Sequence, residues 1–203
     1  MSHCHIIFIC LTLYFRLSLF FRYVDFVQDE IKKCNGDEGM INMLTKQLGL
    51  DPDYVEPEND SRLLNVQSIT IEFKEHKVDQ VLPFSTDAEQ KAAAETVLTV
   101  KEGVQFRVKV TFRGQHYIIN DLKLKSTIKK FGKTVAEDEE MLGSYNPTTN
   151  FKDVYLPSRG YNDAPSGMLG RGTYGSTMTF TNDKKETLLT INYKTAIAKA
   201  FAE

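Results

Sequence analysis

The chain has 203 residues, 41% hydrophobic and 26% charged, which suits one domain with extra segments and excludes wholesale disorder, collagen and coiled coil. Lys and Arg number 25 against 27 Asp and Glu, a net charge of -2, so a general nucleic-acid binder, which would be far more basic, is disfavoured. The only cysteines are Cys4, Cys10 and Cys34, so the rest of the chain carries neither a disulfide nor a cysteine metal site, which favours a reducing, cytoplasmic compartment.

In chain order, Ile6 to Phe21 is an apolar run broken only by Arg16. It is short for a spanning helix, which needs about 20 apolar residues. No basic residue precedes it and no small-residue cleavage site follows, so it fits a signal peptide poorly. Three readings stay open: a weak signal anchor, a segment that packs on an apolar surface, or untranslated sequence carried into the chain. Residues 1–23 are therefore set apart as an apolar extension.

Residues 24–60 read as a helical arm and an acidic linker. Val24, Val27 and Ile31 recur at helical spacing, and Asn35-Gly36 interrupts them. Asp37 is a good N-cap for a second helix with Met40, Ile41, Leu44 and Leu48 on one face, and Gly49 suits its C′ position. Two short amphipathic helices need a partner surface. Asp51 to Asp60, with two prolines and five acidic residues, is expected to be a solvated linker.

Residues 61–203 read as strands. Ile69, Ile71 and Phe73 face one way, and Val104, Phe106, Val108, Val110 and Phe112 alternate with polar residues. Further strands are expected at Thr96–Val100, Tyr117–Lys125, Phe151–Leu156, Thr173–Thr181 and Thr187–Ala198. About seven short strands without long helices between them predict a two-sheet sandwich.

Catalysis is unsupported: no nucleophile–base pair, P-loop or zinc-binding HExxH motif occurs, and no cofactor or metal is expected. The four histidines, His3, His5, His76 and His116, do not repeat at metal-ligand spacing. The acidic run Glu137 to Glu140 is expected to be a solvated loop. Lys123, Lys125, Lys129, Lys130 and Lys133 are read as the outer face of a strand pair, with contact to a membrane surface or an acidic partner left open.

Four motifs in order are more specific: Val97 to Val110, Met141-Leu142-Gly143-Ser144-Tyr145-Asn146-Pro147, Ala164 to Tyr174, and Phe180-Thr181-Asn182-Asp183. Together they resemble the Rho GDP-dissociation inhibitor family. The resemblance implies an all-β, immunoglobulin-like β-sandwich preceded by a short helical regulatory arm. It also implies a non-enzymatic role: binding prenylated Rho/Rac-family small GTPases, slowing GDP release, and extracting them from membranes by sheltering the geranylgeranyl lipid chain between two sheets, with transient membrane contact and no nucleic acid. The wall residues it implies are Ile69, Ile71, Leu98, Phe112, Ile118, Leu122, Tyr145 and Tyr193. The GTPase-facing residues it implies are Asp37, Glu38, Met43, Asp183 and Lys184. Met43 stands where the family usually has a tyrosine, Lys184 reverses an acidic position, and Tyr193 replaces a tryptophan. Met43 and Lys184 keep an alternative alive, a general lipid-chain carrier without GTPase-body specificity.

Overall fold

A computed structural model of the chain describes residues 23–51, 53–75 and 79–201. The apolar run Ile6–Phe21 lies outside the described residues, as do His3, His5 and His76. The side chain of Val24 lies outside them too.

The arm comprises α1 (Tyr23–Lys33) and α2 (Glu38–Leu48). Asp37 caps α2 as its sequence suggests, its Oδ1 accepting from the Met40 N–H at 3.0 Å, and Gly49 ends the helix in the left-handed region at φ 60. Among the described residues ten strands follow, with two short helices among them: β1 (Leu64–Phe73), β2 (Gln80–Pro83), α3 (Asp87–Ala93), β3 (Val97–Lys101), β4 (Gln105–Gly114), β5 (Ile119–Lys130), β6 (Lys133–Tyr145), β7 (Lys152–Leu156), β8 (Asn162–Asp163), α4 (Gly167–Gly170), β9 (Gly172–Thr181) and β10 (Thr187–Ala198).

One sheet runs β2-β1-β4-β7, with β8 also paired to β4; the other runs β3-β10-β9-β5-β6. All pairings are antiparallel except β3 on β10. The inner faces meet in one apolar core. Ile69, Ile71, Val110 and Phe112 come from the first sheet, and Leu98, Val100, Leu122, Leu124, Met178, Phe180 and Ile191 from the second. This is a two-sheet β-sandwich of the all-β class, as the strand pattern predicts, and of the immunoglobulin-like type that the resemblance implies.

Three expectations fail for identifiable reasons. The acidic run Glu137 to Glu140 is not a loop: it lies in β6, opposite the lysines of β5. Lys125 Nζ sits 2.8 Å from Glu137 and Lys123 Nζ 3.7 Å from Glu139. Opposite charges across a strand pair make a strand of residues with poor intrinsic strand preference.

The segment Asp51 to Asp60 is not simply solvated. Leu50 and Tyr54 join Tyr23 and Val27 of α1 in a small second core, and the acidic side chains bond to the sandwich. Short polar segments read as linkers only while their acceptors have no fixed donors, and here the donors come from loops far away in the sequence.

Third, Ile118 does not face the interior. It is 41% exposed, and Ile119 is buried in its place. Counting back by twos from Leu122 leads to Ile118. A bulge between Ile119 and Leu122, with Asp121 at φ 47, inserts one residue and turns Ile119 inward.

Candidate functional site

The interior of the sandwich takes Ile69, Ile71 and Phe112 from one sheet and Leu98, Leu122 and Tyr193 from the other, all within one contiguous apolar cluster. Tyr145, at the end of β6, is half-buried; its ring meets the edge of Phe112 at 5.0 Å and its hydroxyl donates to the Leu142 carbonyl at 3.2 Å. Period-two burial in β9 adds Met178 and Phe180, which the wall set omits although their alternation is plain. Half-buried Ile128, Leu142, Tyr145 and Val154 pack on the same core from β5, β6 and β7. Along the edge strands β6 and β7, the apolar interior is thus only partly covered.

Tyr193 brings a hydroxyl into this apolar space. Its cross-strand partner is Ser176, which is also its hydrogen-bond partner. Burial dominates over that bond and pushes the phenol up to about 12.

The arm joins the sandwich at one end, where β4 passes to β5, β6 to β7, and β9 to β10. Asn146 donates from Nδ2 to the carbonyls of Leu48 at 2.7 Å and Gly49 at 2.9 Å, capping the C-terminus of α2 from the loop after β6. A Cβ on Gly49 would sit 3.3 Å from that same nitrogen, and one on Gly114 would sit 3.2 Å from the Asn146 carbonyl oxygen. Part of the Gly143–Pro147 motif is thereby accounted for as the seat of the arm.

Asp51 Oδ2 accepts from the Thr148 hydroxyl at 2.8 Å, the Thr149 N–H at 2.9 Å and the Thr149 hydroxyl at 3.1 Å. Burial acts to raise this carboxyl, but the three donors outweigh it and hold it below the usual range. Asp60 forms a two-bond pair with Arg62, at 2.7 Å to both Nε and Nη2, and also accepts from Asn65 and Gln115 at 3.1 Å. The Arg62 bonds hold its carboxyl well below the usual range despite burial. His116 joins the same end, its Nε2 bonded to the Asp60 carbonyl. Its Nδ1 is 2.6 Å from Glu56 Oε1, its backbone N–H donates to the Tyr54 hydroxyl, and its carbonyl receives the Tyr23 N–H.

Asp37, Glu38 and Met43 all lie exposed on α2, which buries no side chain at all. Met40, Met43 and Leu48 leave an apolar face of α2 open to solvent. Asp183 and Lys184 are exposed in the β9–β10 turn. Asn182 organises that turn by accepting the N–H groups of Lys184 and Glu186, and the Asp183 N–H donates to the Asn120 carbonyl. The arm residues and the turn residues therefore share one end of the sandwich, while the apolar wall residues lie between the sheets. Among the described residues no His, Cys, Asp and Glu cluster could hold a metal ion, and no helix is long and apolar enough to cross a membrane.

Known proteins are similar to this chain in sequence. A Rho GDP-dissociation inhibitor of Saccharomyces cerevisiae is 31% identical over 173 residues, covering 84% of this chain and 86% of its own. One from Schizosaccharomyces pombe is 29% identical over 161 residues, 77% of this chain and 75% of its own. Human Rho GDP-dissociation inhibitor 1 is 32% identical over 100 residues, 49% of this chain and 48% of its own. Among solved structures, a Niemann-Pick type C2 protein from Japanese carpenter ant aligns at a TM-score of 0.42 and 11% identity, over 71% of this chain and 100% of that one. The family model described as RHO protein GDP dissociation inhibitor matches residues 26–200, and the chain belongs to that family.

Proposed function

We propose that the chain binds prenylated Rho- or Rac-type small GTPases in the cytoplasm, slows their GDP release through the arm, and carries the geranylgeranyl chain between its two sheets. It does so without catalysis, touching membranes only while it extracts its cargo. The observation that supports this most is the division of labour in the fold. An apolar two-walled interior lies beneath an arm helix whose apolar side chains are left unburied.

A prenyl chain in water is unfavourable by about 0.8 kcal/mol per CH₂ group, so a soluble carrier must offer an apolar slot that rivals the bilayer. Ile69, Ile71, Leu98, Phe112, Leu122 and Tyr193 supply such walls. The half-buried side chains along β6 and β7 offer the natural line for the sheets to part. Met43 and its neighbours on α2 would rest on the mobile switch loops of the GTPase, with Asp37 and Glu38 beside them, holding those loops still and closing the exit for GDP. Asp183 and Lys184 would meet the GTPase body at the same end.

The test is extraction of a prenylated Rac-type GTPase from liposomes. The GTPase should move to the supernatant; its retention on vesicles at saturating protein overturns the reading. Leu98→Asp should abolish extraction while leaving a weaker contact with the unprenylated GTPase. Equal affinity for a bare prenylated peptide and the whole GTPase would instead favour the general lipid-chain carrier. Lys184→Asp should tighten GTPase binding, because it restores an acidic position of the family.

A further inference from the structure

The end of the sandwich away from the arm exposes three large apolar side chains: Phe131 at 91%, Met168 at 87% and Leu169 at 94%. Phe131 lies in the two-residue turn between β5 and β6, and Met168 and Leu169 lie in α4. One side chain ties the two turns together. Lys130 Nζ donates to the carbonyls of Leu169 at 2.6 Å and Arg171 at 2.8 Å and to the Tyr174 hydroxyl at 3.2 Å. Glu102 holds the other side of α4, accepting from the Gly167 N–H at 2.8 Å and pairing with Arg171 at 2.8 Å. The three apolar groups are therefore held close together on a braced support.

The turn itself speaks against an accident. Phe131 and Gly132 have φ of 50 and 77, the paired left-handed residues of a type I′ hairpin turn. Asparagine or glycine belongs at the first of these positions, and a bulky aromatic there is strained. Phe131 thus carries two penalties at once, a conformation unsuited to its side chain and almost complete exposure of its ring to water. Its ring lies 5.8 Å from Lys130 Nζ, the same ammonium that braces α4, and is otherwise turned to water.

The charges around it are also sorted. Lys123 and Lys125, further along β5, are paired with Glu139 and Glu137. Lys129 and Lys133, flanking the turn, form no ion pair among the described residues. Lys101 and Lys199 are exposed at the same end. The acids there are Glu102, taken up by Arg171; Asp163, bonded to Gln105; and Glu75. Projecting apolar tips flanked by Lys129 and Lys133 match a surface that is anionic outside and apolar just beneath, namely a bilayer with acidic headgroups. A protein partner would ordinarily need a concave or flat patch, not two protruding turns.

We propose that this end is a bilayer-docking tip. Phe131, Met168 and Leu169 enter the boundary between headgroups and acyl chains, and Lys129 and Lys133 meet anionic lipid. The site is separate from the apolar interior and from the arm, so its test needs neither GTPase nor prenyl group.

The full chain is sedimented with vesicles of phosphatidylcholine alone or mixed with phosphatidylserine. Binding should require phosphatidylserine and weaken with salt. Phe131→Asn should lower binding several-fold while raising thermal stability, because asparagine suits the turn; a merely structural role would move both in the same direction. Phe131→Asn combined with Met168→Ser and Leu169→Ser should lower the partition coefficient more than about tenfold. Lys129→Ala with Lys133→Ala should lower it about fivefold per lysine and flatten its salt dependence. Unchanged binding by the triple variant, which would point to contact through another part of the chain, overturns the proposal. So does a wild type that ignores phosphatidylserine vesicles, or one that forms dimers which the triple variant dissolves.

Discussion

The sandwich and the arm are held by different forces. The sandwich is an apolar body: Phe112, Phe180, Leu122, Ile69 and Ile191 are fully enclosed, and the sheets adhere through them. The arm has a small core around Tyr23, Val27, Leu50 and Tyr54, and otherwise rests on hydrogen bonds from Asn146, Thr148, Thr149, Arg62 and Gln115. Apolar packing is lost cooperatively and at high cost. A set of half-exposed hydrogen bonds can open with little net penalty, because water replaces each one. An arm attached in this way can leave its seat while the sandwich stays intact, which is what reversible engagement of a partner requires.

The largest effect should come from breaking the apolar side of this contrast. Phe112→Ala removes a ring that touches Tyr145 at 5.0 Å and Phe180 at 6.2 Å, and should lower stability by about 3–5 kcal/mol in urea unfolding. A loss below about 1 kcal/mol would mean that the sheets are not held by their shared interior.

Alkaline titration gives the next largest effect. Burial pushes the Tyr193 phenol from its ordinary 10.0 up to about 12, so the neutral phenol is the form the fold prefers. Its contribution is fully present below pH 10 and is lost as pH rises from 10 toward 12, a matter of about 3 kcal/mol. Tyr193→Phe should remove that part of the alkaline slope. If the slope persists unchanged, another group is titrating.

The joint responds to acid with the opposite sign. Asp60 and Asp51 are both depressed on folding, so their stabilisation is present above the ordinary carboxyl value of 3.8 and fades as pH falls below it. Asp60→Ala should mimic that loss at neutral pH. It strips Arg62, Asn65 and Gln115 of an acceptor and should cost about 1–3 kcal/mol. Amide exchange should then accelerate in residues 50–62 more than in β9 or β10. Equal acceleration in both would deny that the arm's attachment and the sandwich core are separate units.

The same contrast decides what could be read from the sequence. Strands β1, β4, β9 and β10 announce themselves through alternation, because each has one face on the core and the pattern is local. The capping box at α3 is equally local, the Thr86 hydroxyl and Glu89 carboxylate exchanging bonds with each other's N–H groups three residues apart, yet α3 is not among the expected elements. The other features that sequence reasoning missed depend on distant partners. Glu137 and Glu139 look like loop residues until Lys125 and Lys123 stand opposite. Asp51 and Asp60 look solvated until Thr148 and Gln115 reach them. Ile118 and Ile119 are indistinguishable until a one-residue bulge chooses between them. All the proposed wall residues but Ile118 were legible as interior or half-buried residues, because resemblance and alternation agree on them; the arm's seat was not, because no periodicity encodes a hydrogen bond across about a hundred residues.

The smallest expected effect is also the sharpest test of the contrast. Asn146→Ala deletes the two bonds that end α2, at 2.7 Å and 2.9 Å, yet removes no apolar side chain from the interior. Stability of the sandwich should fall by less than about 1 kcal/mol, since water can take over the Leu48 and Gly49 carbonyls. The arm should nevertheless loosen, seen as faster exchange at Leu50, whose N–H bonds to the Thr45 carbonyl at 3.0 Å, and as earlier protease cleavage between α2 and Asp51. Asn146→Asp separates the hydrogen bonds from mere occupancy. It keeps the size of the side chain but sets a carboxylate against two carbonyls at the negative end of a helix, so it should loosen the arm more than alanine does. Should both variants leave exchange and cleavage unchanged, the arm must be held by its small core around Tyr23 and Tyr54 alone, and the loop after β6 would be a bystander.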